Sequence, residues 1–295
     1  MKQLLVLSGK GGTGKTTIVA SFIHLLKAKA FADCDVDAPN LHLVTSMKSI
    51  PRKTDYYGLD KAIIDEAICI GCGKCMANCR FNAISELNGT YTVNPYSCEG
   101  CSVCEVICPV GAIEMNQDIA GELNLYKDQA VFSTATLKMG SGTSGKLVTE
   151  VKTALTTGIK TNIENGIFDK VDVAVIDGSP GIGCPVIASI SGVDLILVVT
   201  EPTVSGLSDM KRVIEIANFF KIQVAICTNK FDVNLDKTES IKEYAKENNL
   251  SYVGVIPYDP QVAIAINKGI NVMEDSSQAA KYIQDVFNNT MELIN

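Results

Sequence analysis

The chain has 295 residues, 46% of them hydrophobic and 20% charged, which suits a globular protein of about two domains and excludes a disordered or fibrous one. Lys and Arg number 26 against 33 Asp and Glu, a net charge of −7. That balance argues against a nucleic-acid backbone as partner, because such binding needs clustered positive charge. No apolar run approaches the roughly 18 residues of a membrane-spanning helix. The apolar stretch in residues 1–8 is too short for a secretion signal, so a cytoplasmic chain without a membrane span is expected.

Residues 4–7 are a short apolar run ending in a Gly-rich turn and predict a buried strand. The turn, Gly9-Lys10-Gly11-Gly12-Thr13-Gly14-Lys15-Thr16, matches G-x-x-x-x-G-K-[ST] completely. Glycines in such a loop let backbone N–H groups turn onto phosphate oxygens, the lysine places a charge on the β- and γ-phosphates, and the hydroxyl of Thr16 ligates Mg²⁺. Gly9, Gly11, Gly12, Thr13, Gly14, Thr16 and Thr17 are therefore the candidate nucleotide contacts, with Lys15 the phosphate lysine. Residues 15–29 carry Ile18, Phe22, Leu25 and Leu26 near helical spacing and predict a helix whose positive end faces the same phosphates. Residues 31–33 begin a second short strand, and the polar residues 45–58 predict a linker.

Of 11 cysteines, eight lie between Cys69 and Cys108. They form two runs, Cys69-x-x-Cys72-x-x-Cys75-x-x-x-Cys79 and Cys98-x-x-Cys101-x-x-Cys104-x-x-x-Cys108-Pro109, each followed by a similar apolar tail. The internal repeat predicts a small unit of two like halves. Its spacing is that of bacterial two-cluster ferredoxins, in which the fourth Cys of each run ligates the other cluster. Cys69, Cys72, Cys75 and Cys108 are accordingly assigned to one [4Fe–4S] cluster, and Cys79, Cys98, Cys101 and Cys104 to the other. Arg80 stands where the usual motif has proline, which removes no ligand. Zinc, usually held by two pairs of ligands, and disulfides, rare in a reducing compartment, both fit two runs of four less well. Residues 60–117 hold three basic and seven acidic residues.

Residues 140–146, Gly-Ser-Gly-Thr-Ser-Gly-Lys, also fit G-x-x-x-x-G-K, but Leu147 follows and no strand is evident before them, so a flexible loop is expected. Residues 171–176 and 194–200 are strand candidates rich in Val, Ile and Leu. Leu207, Met210, Val213, Ala217 and Phe220 recur at helical spacing, and strand, helix and strand follow at 224–228, 241–248 and 252–256. Residues 278–293 predict a last helix with too little positive charge for a membrane surface. Apolar strands alternating with helices imply a doubly wound α/β domain with a mainly parallel sheet, whose ligands bind beyond the carboxyl ends of the strands. Cys34 and Cys227 read as core residues, His24 and His42 as packed or surface side chains, and Cys184 as structural.

Lys10 inside the loop makes K-G-G-x-G-K-T, which resembles the deviant Walker A motif of the MinD/Mrp/ParA and nitrogenase iron protein group. Asp33-Cys34-Asp35-Val36-Asp37 resembles that group's acidic motif, and residues 173–181, Val-Ala-Val-Ile-Asp-Gly-Ser-Pro-Gly, its Walker B strand and second switch. The resemblance covers the chain apart from the cysteine block. It implies an ATP-dependent homodimer in which Lys10 reaches the partner's nucleotide, Asp35 orients the attacking water, Asp33 acts near Mg²⁺ and Asp177 holds Mg²⁺ through water. Lys10, Lys15 and Asp35 are then the catalytic set, and Asp37 a turn or cap carboxylate. Asn229-Lys230-Phe231-Asp232 matches the guanine-selecting N-K-x-D, whereas the resembled group mostly uses ATP with an Asn or Arg near the base. ATP with Asn229 at the base is expected, and GTP stays open.

The expected organisation is a P-loop ATPase domain (1–59 and 118–295) interrupted by an α+β ferredoxin-like domain (60–117), with two [4Fe–4S] clusters, Mg²⁺ and ATP as cofactors. Three functions follow: ATP-coupled electron transfer to a partner metalloprotein, assembly or insertion of a metallocluster, and a positioning ATPase whose clusters report redox state.

Overall fold

The computed structural model describes residues 1–45, 47, 49–275 and 277–294. In chain order the elements are β1 (Lys2–Leu7), α1 (Lys15–Leu26), β2 (Ala30–Asp33), β3 (Arg52–Tyr57), β4 (Lys61–Ile64), α2 (Lys74–Ala77), β5 (Ile84–Leu87), β6 (Thr90–Val93), α3 (Val103–Val106), β7 (Ile113–Asn116) and β8 (Ile119–Lys127). They continue with β9 (Val131–Leu137), α4 (Ser144–Glu164), β10 (Val173–Asp177), α5 (Cys184–Ile190), β11 (Leu195–Thr200), α6 (Val204–Phe219), β12 (Gln223–Asn229), α7 (Leu235–Glu247), β13 (Ser251–Ile256), α8 (Pro260–Asn267) and α9 (Gln278–Ile294).

The chain divides into two compact units. The first comprises Met1–Lys53, Leu123–Ala135 and Gly145–Asn295, the second Thr54–Glu122 and Thr136–Ser144. Segments of β3, β8 and β9 belong to each. Among the described residues the large sheet has the order β13-β12-β11-β1-β10-β2-β9-β8-β3. Its pairs from β13 to β9 are parallel.

In the first unit both alternating side-chain sets of β1 are buried. Leu4 and Val6 join a core with Phe22 of α1 and Ile283 and Val286 of α9, while Leu5 and Leu7 are equally inaccessible on the opposite side. Burial on both faces is why the strands read as continuous apolar runs. Phe22 meets Phe287 edge-on at 5.2 Å and Phe31 stacks on Phe132 at 4.8 Å, closing the core beneath the P-loop.

The second unit is built from two antiparallel pairs, β4 with β7 and β5 with β6, and the one-turn helices α2 and α3. Its small core holds Ala62, Ala83, Ile84 and Ile113 together with Cys75 and Cys98.

Two expectations are corrected. Residues 45–58 are not simply a linker, for β3 lies within them; four of its first five residues are exposed and Tyr56 is its one buried side chain, so the alternating signal is faint. The second glycine-rich segment does follow a strand, β9, and runs into α4. Ser133 and Thr134 are fully or nearly buried in β9, so this strand is core by position although polar by composition.

Candidate functional site

The P-loop links β1 to α1 at the carboxyl end of the parallel sheet. Gly12 and Gly14 have φ of 80° and 84°, the left-handed region where a Cβ is strained. Gly14 is also confined by space, because a methyl group there would collide with the Asn229 amide. That amide donates from Nδ2 to Thr13 O at 2.7 Å and accepts at Oδ1 from Lys230 N–H at 3.0 Å. Asn229, expected at the base, lines the cavity while bracing the phosphate loop.

Lys15 is 6% exposed, and its Nζ forms an ion pair with Asp177 Oδ1 at the end of β10. Asp177 Oδ2 is buried without a hydrogen-bond partner among the described residues, as is Thr13 Oγ1. A buried oxygen of this kind needs a partner, which suits a carboxylate that meets Mg²⁺ through water. Thr16 and Asp35 line the same cavity.

Asp33 lies behind it, fully buried. Its Oδ1 accepts from Asp35 N–H, and its Oδ2 accepts from Asn40 and Leu41 N–H, each at 3.0 Å. It thus holds the loop that presents Asp35. Burial, with Asp177 alongside, raises the Asp33 carboxyl to about 7 despite these donors. Burial likewise raises Asp35 to about 6; nearby Lys15 opposes the shift, and Asp177 and Asp37 add to it.

Lys10 is turned toward Glu201, at 3.1 Å from Oε2. Lys230 reaches the other oxygen, Oε1, at 2.5 Å and also donates to Gly12 O at 3.2 Å. Burial alone would raise the Glu201 carboxyl, but the two lysines hold it below its ordinary value.

The cavity is about 420 Å³, within the range of small-molecule sites. Beyond the P-loop it is apolar, walled by Ile256, Pro257, Val262, Ile266 and Ile283. These residues, like Glu201, escape sequence reasoning because they come from the end of β13 and the turn after it, from α8 and α9, and from just beyond β11, with no motif of their own. Asp232 accepts from Tyr258 N–H at 2.7 Å and is not part of the wall.

In the second unit the eight clustered cysteines divide between two small cavities. Cys69, Cys72, Cys75 and Cys108 line one with Tyr91 and Ile113; Cys79, Cys98, Cys101 and Cys104 line the other with Phe81 and Met115. The halves share their turns. Gly71, Gly73 and Asn82 have φ of 68°, 70° and 51°, and the equivalent Gly100, Ser102 and Gly111 have 64°, 59° and 65°. Ala83 N–H donates to Cys79 Sγ at 3.4 Å and Ala112 N–H to Cys108 Sγ at 3.3 Å. Backbone N–H groups, those of Val110 and Ala112 foremost, hold the Cys108 thiol below its ordinary value, favouring the thiolate. Among the described residues, no three His, Cys, Asp or Glu side chains are arranged around a single metal ion.

The nucleotide-binding domain model of the CobQ/CobB/MinD/ParA family matches residues 4–272. The chain belongs to this family. As a MinD/ParA-type P-loop NTPase, it is 33% identical to an uncharacterized protein of Methanocaldococcus jannaschii over 99% of this chain and 97% of that one. The septum site-determining protein MinD of Pyrococcus horikoshii, complexed with Mg-ADP, superposes with a TM-score of 0.58 at 16% identity, over 99% of this chain and 96% of that one. The pyruvate synthase subunit PorD of M. jannaschii is 36% identical over 66 residues, 22% of this chain and 77% of the relative. No described helix is long and apolar enough to cross a membrane.

Proposed function

We propose that this MinD/ParA-type protein hydrolyses ATP and uses nucleotide state to control electron transfer through two [4Fe–4S] clusters to a partner metalloprotein. One observation carries the reading: the cysteines fall four and four into two cavities, each taking its fourth member from the other run. The donor sets fit the clusters. A single zinc would draw four thiolates to about 2.3 Å of one point, whereas these surround a space with apolar walls, and two sulfurs accept backbone N–H bonds of the kind that tunes a cluster. A [4Fe–4S] cluster supplies one-electron redox chemistry there. Similarity to PorD over most of that subunit's length supports the redox reading.

At the phosphate end, the backbone N–H groups of residues 11–15 and the Lys15 ammonium meet negative charge on the transferred phosphoryl group. Thr16 and Asp177 are the residues that would hold Mg²⁺, which would supply neutralisation of phosphate charge when bound. Asp35, raised to about 6, is matched to taking a proton from, or orienting, the attacking water near neutral pH. The base lies on the apolar wall formed by Ile256, Val262 and Ile283. Lys10, released from Glu201, completes the site of a second copy in an ATP-dependent homodimer.

The test is an anaerobic redox titration read by electron paramagnetic resonance, with and without a non-hydrolysable ATP analogue. A midpoint potential that moves with nucleotide supports the reading. Two reducible clusters whose potentials ignore nucleotide would overturn it. Cluster assembly is the second reading, favoured by the exposure of one cysteine in each set, Cys72 and Cys101. Iron passing from the loaded protein to an apo-ferredoxin would support it.

A further inference from the structure

The chain crosses between its two units at four bonds: Lys53–Thr54, Glu122–Leu123, Ala135–Thr136 and Ser144–Gly145. Three lie inside β3, β8 and β9. The fourth lies in the first turn of α4. We propose that residues 139–145 transmit nucleotide state from the P-loop unit to the cysteine set Cys79, Cys98, Cys101 and Cys104. The proposal rests on the two-cluster reading given above.

On the nucleotide side, β10 ends at Asp177, and the loop that follows is tied to the neighbouring strands: Gly181 N–H donates to Ser8 O at 2.9 Å and Ser179 Oγ to Cys34 O at 2.6 Å. That loop leads directly into α5, which is fastened to α4 at both ends. At the first end, a methyl group added at Gly145 would stand 3.1 Å from Cys184 O and 3.2 Å from its Cβ, so the helix starts are in close contact. At the other, Lys152 Nζ donates to Ser189 O at 2.7 Å and Ser191 O at 2.5 Å. A shift of the loop after Asp177 therefore moves α5 and α4 as one body.

On the cysteine side, the segment leading into α4 packs against the second cysteine run. A methyl group added at Gly142 would meet Glu99 Oε2 at 3.6 Å, and one at Gly140 would meet Tyr96 Cδ1 at 3.8 Å. Glu99 adjoins Cys98 and lines the same cavity as Cys98, Cys101 and Cys104. Between the two sides sits Thr143, a β-branched residue at φ 72°, a conformation normally left to glycine. Tyr56 OH holds it with bonds to Thr143 Oγ1 at 2.9 Å and Thr143 O at 3.2 Å. Thr143 is thus a strained residue kept in place by specific bonds. Rotation at Thr143 lets α4 move while displacing Glu99 and its charge relative to the neighbouring cluster.

The experiment uses the full-length protein with both clusters reconstituted. Midpoint potentials are measured with and without a non-hydrolysable ATP analogue for the parent, Thr143→Gly and Tyr56→Phe. In the parent, the analogue is expected to change the reduction equilibrium of one cluster by about tenfold, within the usual range of coupling between sites. By linkage, analogue affinity then differs by the same factor between oxidised and reduced protein. Thr143→Gly relieves the strain and Tyr56→Phe removes the restraint. Both should keep iron content and analogue affinity and lose at least half of the shift. A full parental shift in both variants overturns this link while leaving nucleotide-gated electron transfer intact. A parent without any shift overturns both. Hydrogen exchange of residues 139–145 in the parent is an independent check that needs no variant to fold. Faster or slower exchange on adding the analogue is expected, and identical exchange overturns the proposal.

Discussion

Lys15, the first residue of α1, and Asp177, the last of β10, form a buried ion pair, with side chains 7% and 0% exposed. The lysine of the phosphate loop and the carboxylate proposed for Mg²⁺ are each other's partners, so a phosphate that drew Lys15 away would free Asp177.

Removing one member of a buried pair leaves an uncompensated charge and costs about 3–5 kcal/mol. Lys15→Ala and Asp177→Ala should each destabilise the protein by that amount, and the double variant by clearly less than the sum. Urea unfolding of the four proteins measures this. Additive losses would show that the two charges do not rely on one another.

Asp35 is raised to about 6 in the folded protein, above an unfolded value of 3.8. Between these values the folded state binds more protons than the unfolded one, so the wild type loses stability as pH rises from about 4 to 6. Asp35→Asn lacks this loss. Its stability relative to wild type should therefore climb between pH 4.5 and pH 7, on the order of these limits, while ATP turnover falls. A constant difference across the range would remove the burial effect assigned to Asp35.

The crossed cysteine sets make a prediction that neither run alone makes. Cys79→Ser should remove the same cluster as Cys98→Ser, and Cys108→Ser the same cluster as Cys69→Ser, each with about half of the iron. Iron analysis and electron paramagnetic resonance of the residual cluster distinguish the pairs. If Cys79→Ser matched Cys69→Ser, the crossing would be wrong.

Asp232 is bound to Tyr258 N–H and stands apart from the cavity wall. Asp232→Ala should therefore leave the ATP/GTP preference unchanged and cost about 1 kcal/mol of stability from the lost hydrogen bond. Competition binding with both nucleotides decides it. Loss of GTP binding in the variant would return Asp232 to the base.

Glu201 engages both Lys10 and Lys230 within its own chain. Glu201→Gln frees Lys10 and should lower the protein concentration at which ATP drives dimer formation. Light scattering with and without ATP is the measurement. A strict monomer at every concentration would remove the role of Lys10 in a partner's site.

The P-loop and the cysteine runs were legible in the sequence because local chemistry dictates them. Phosphate binding demands Gly12 and Gly14 at positive φ and Lys15 one residue on, and a cluster demands thiolates at short fixed intervals. The central strands were legible as apolar runs, since burial on both faces leaves no polar alternation. β3 and β9 were not, because Tyr56 is the only buried side chain of β3 and the core positions of β9 include Ser133 and Thr134.

From sequence alone came the family's phosphate loop, its acidic motif and the eight cysteines in two runs. Tertiary structure decided what each polar group is joined to. Asp33 holds backbone N–H groups, Asn229 braces Thr13, Asp232 secures Tyr258 and Glu201 gathers two lysines. These partners are distant along the chain, apart from the N–H groups bound by Asp33, and meet because the parallel sheet brings the ends of its strands together. A hydrogen bond depends on atoms a few ångströms apart, and sequence separation carries no trace of that distance.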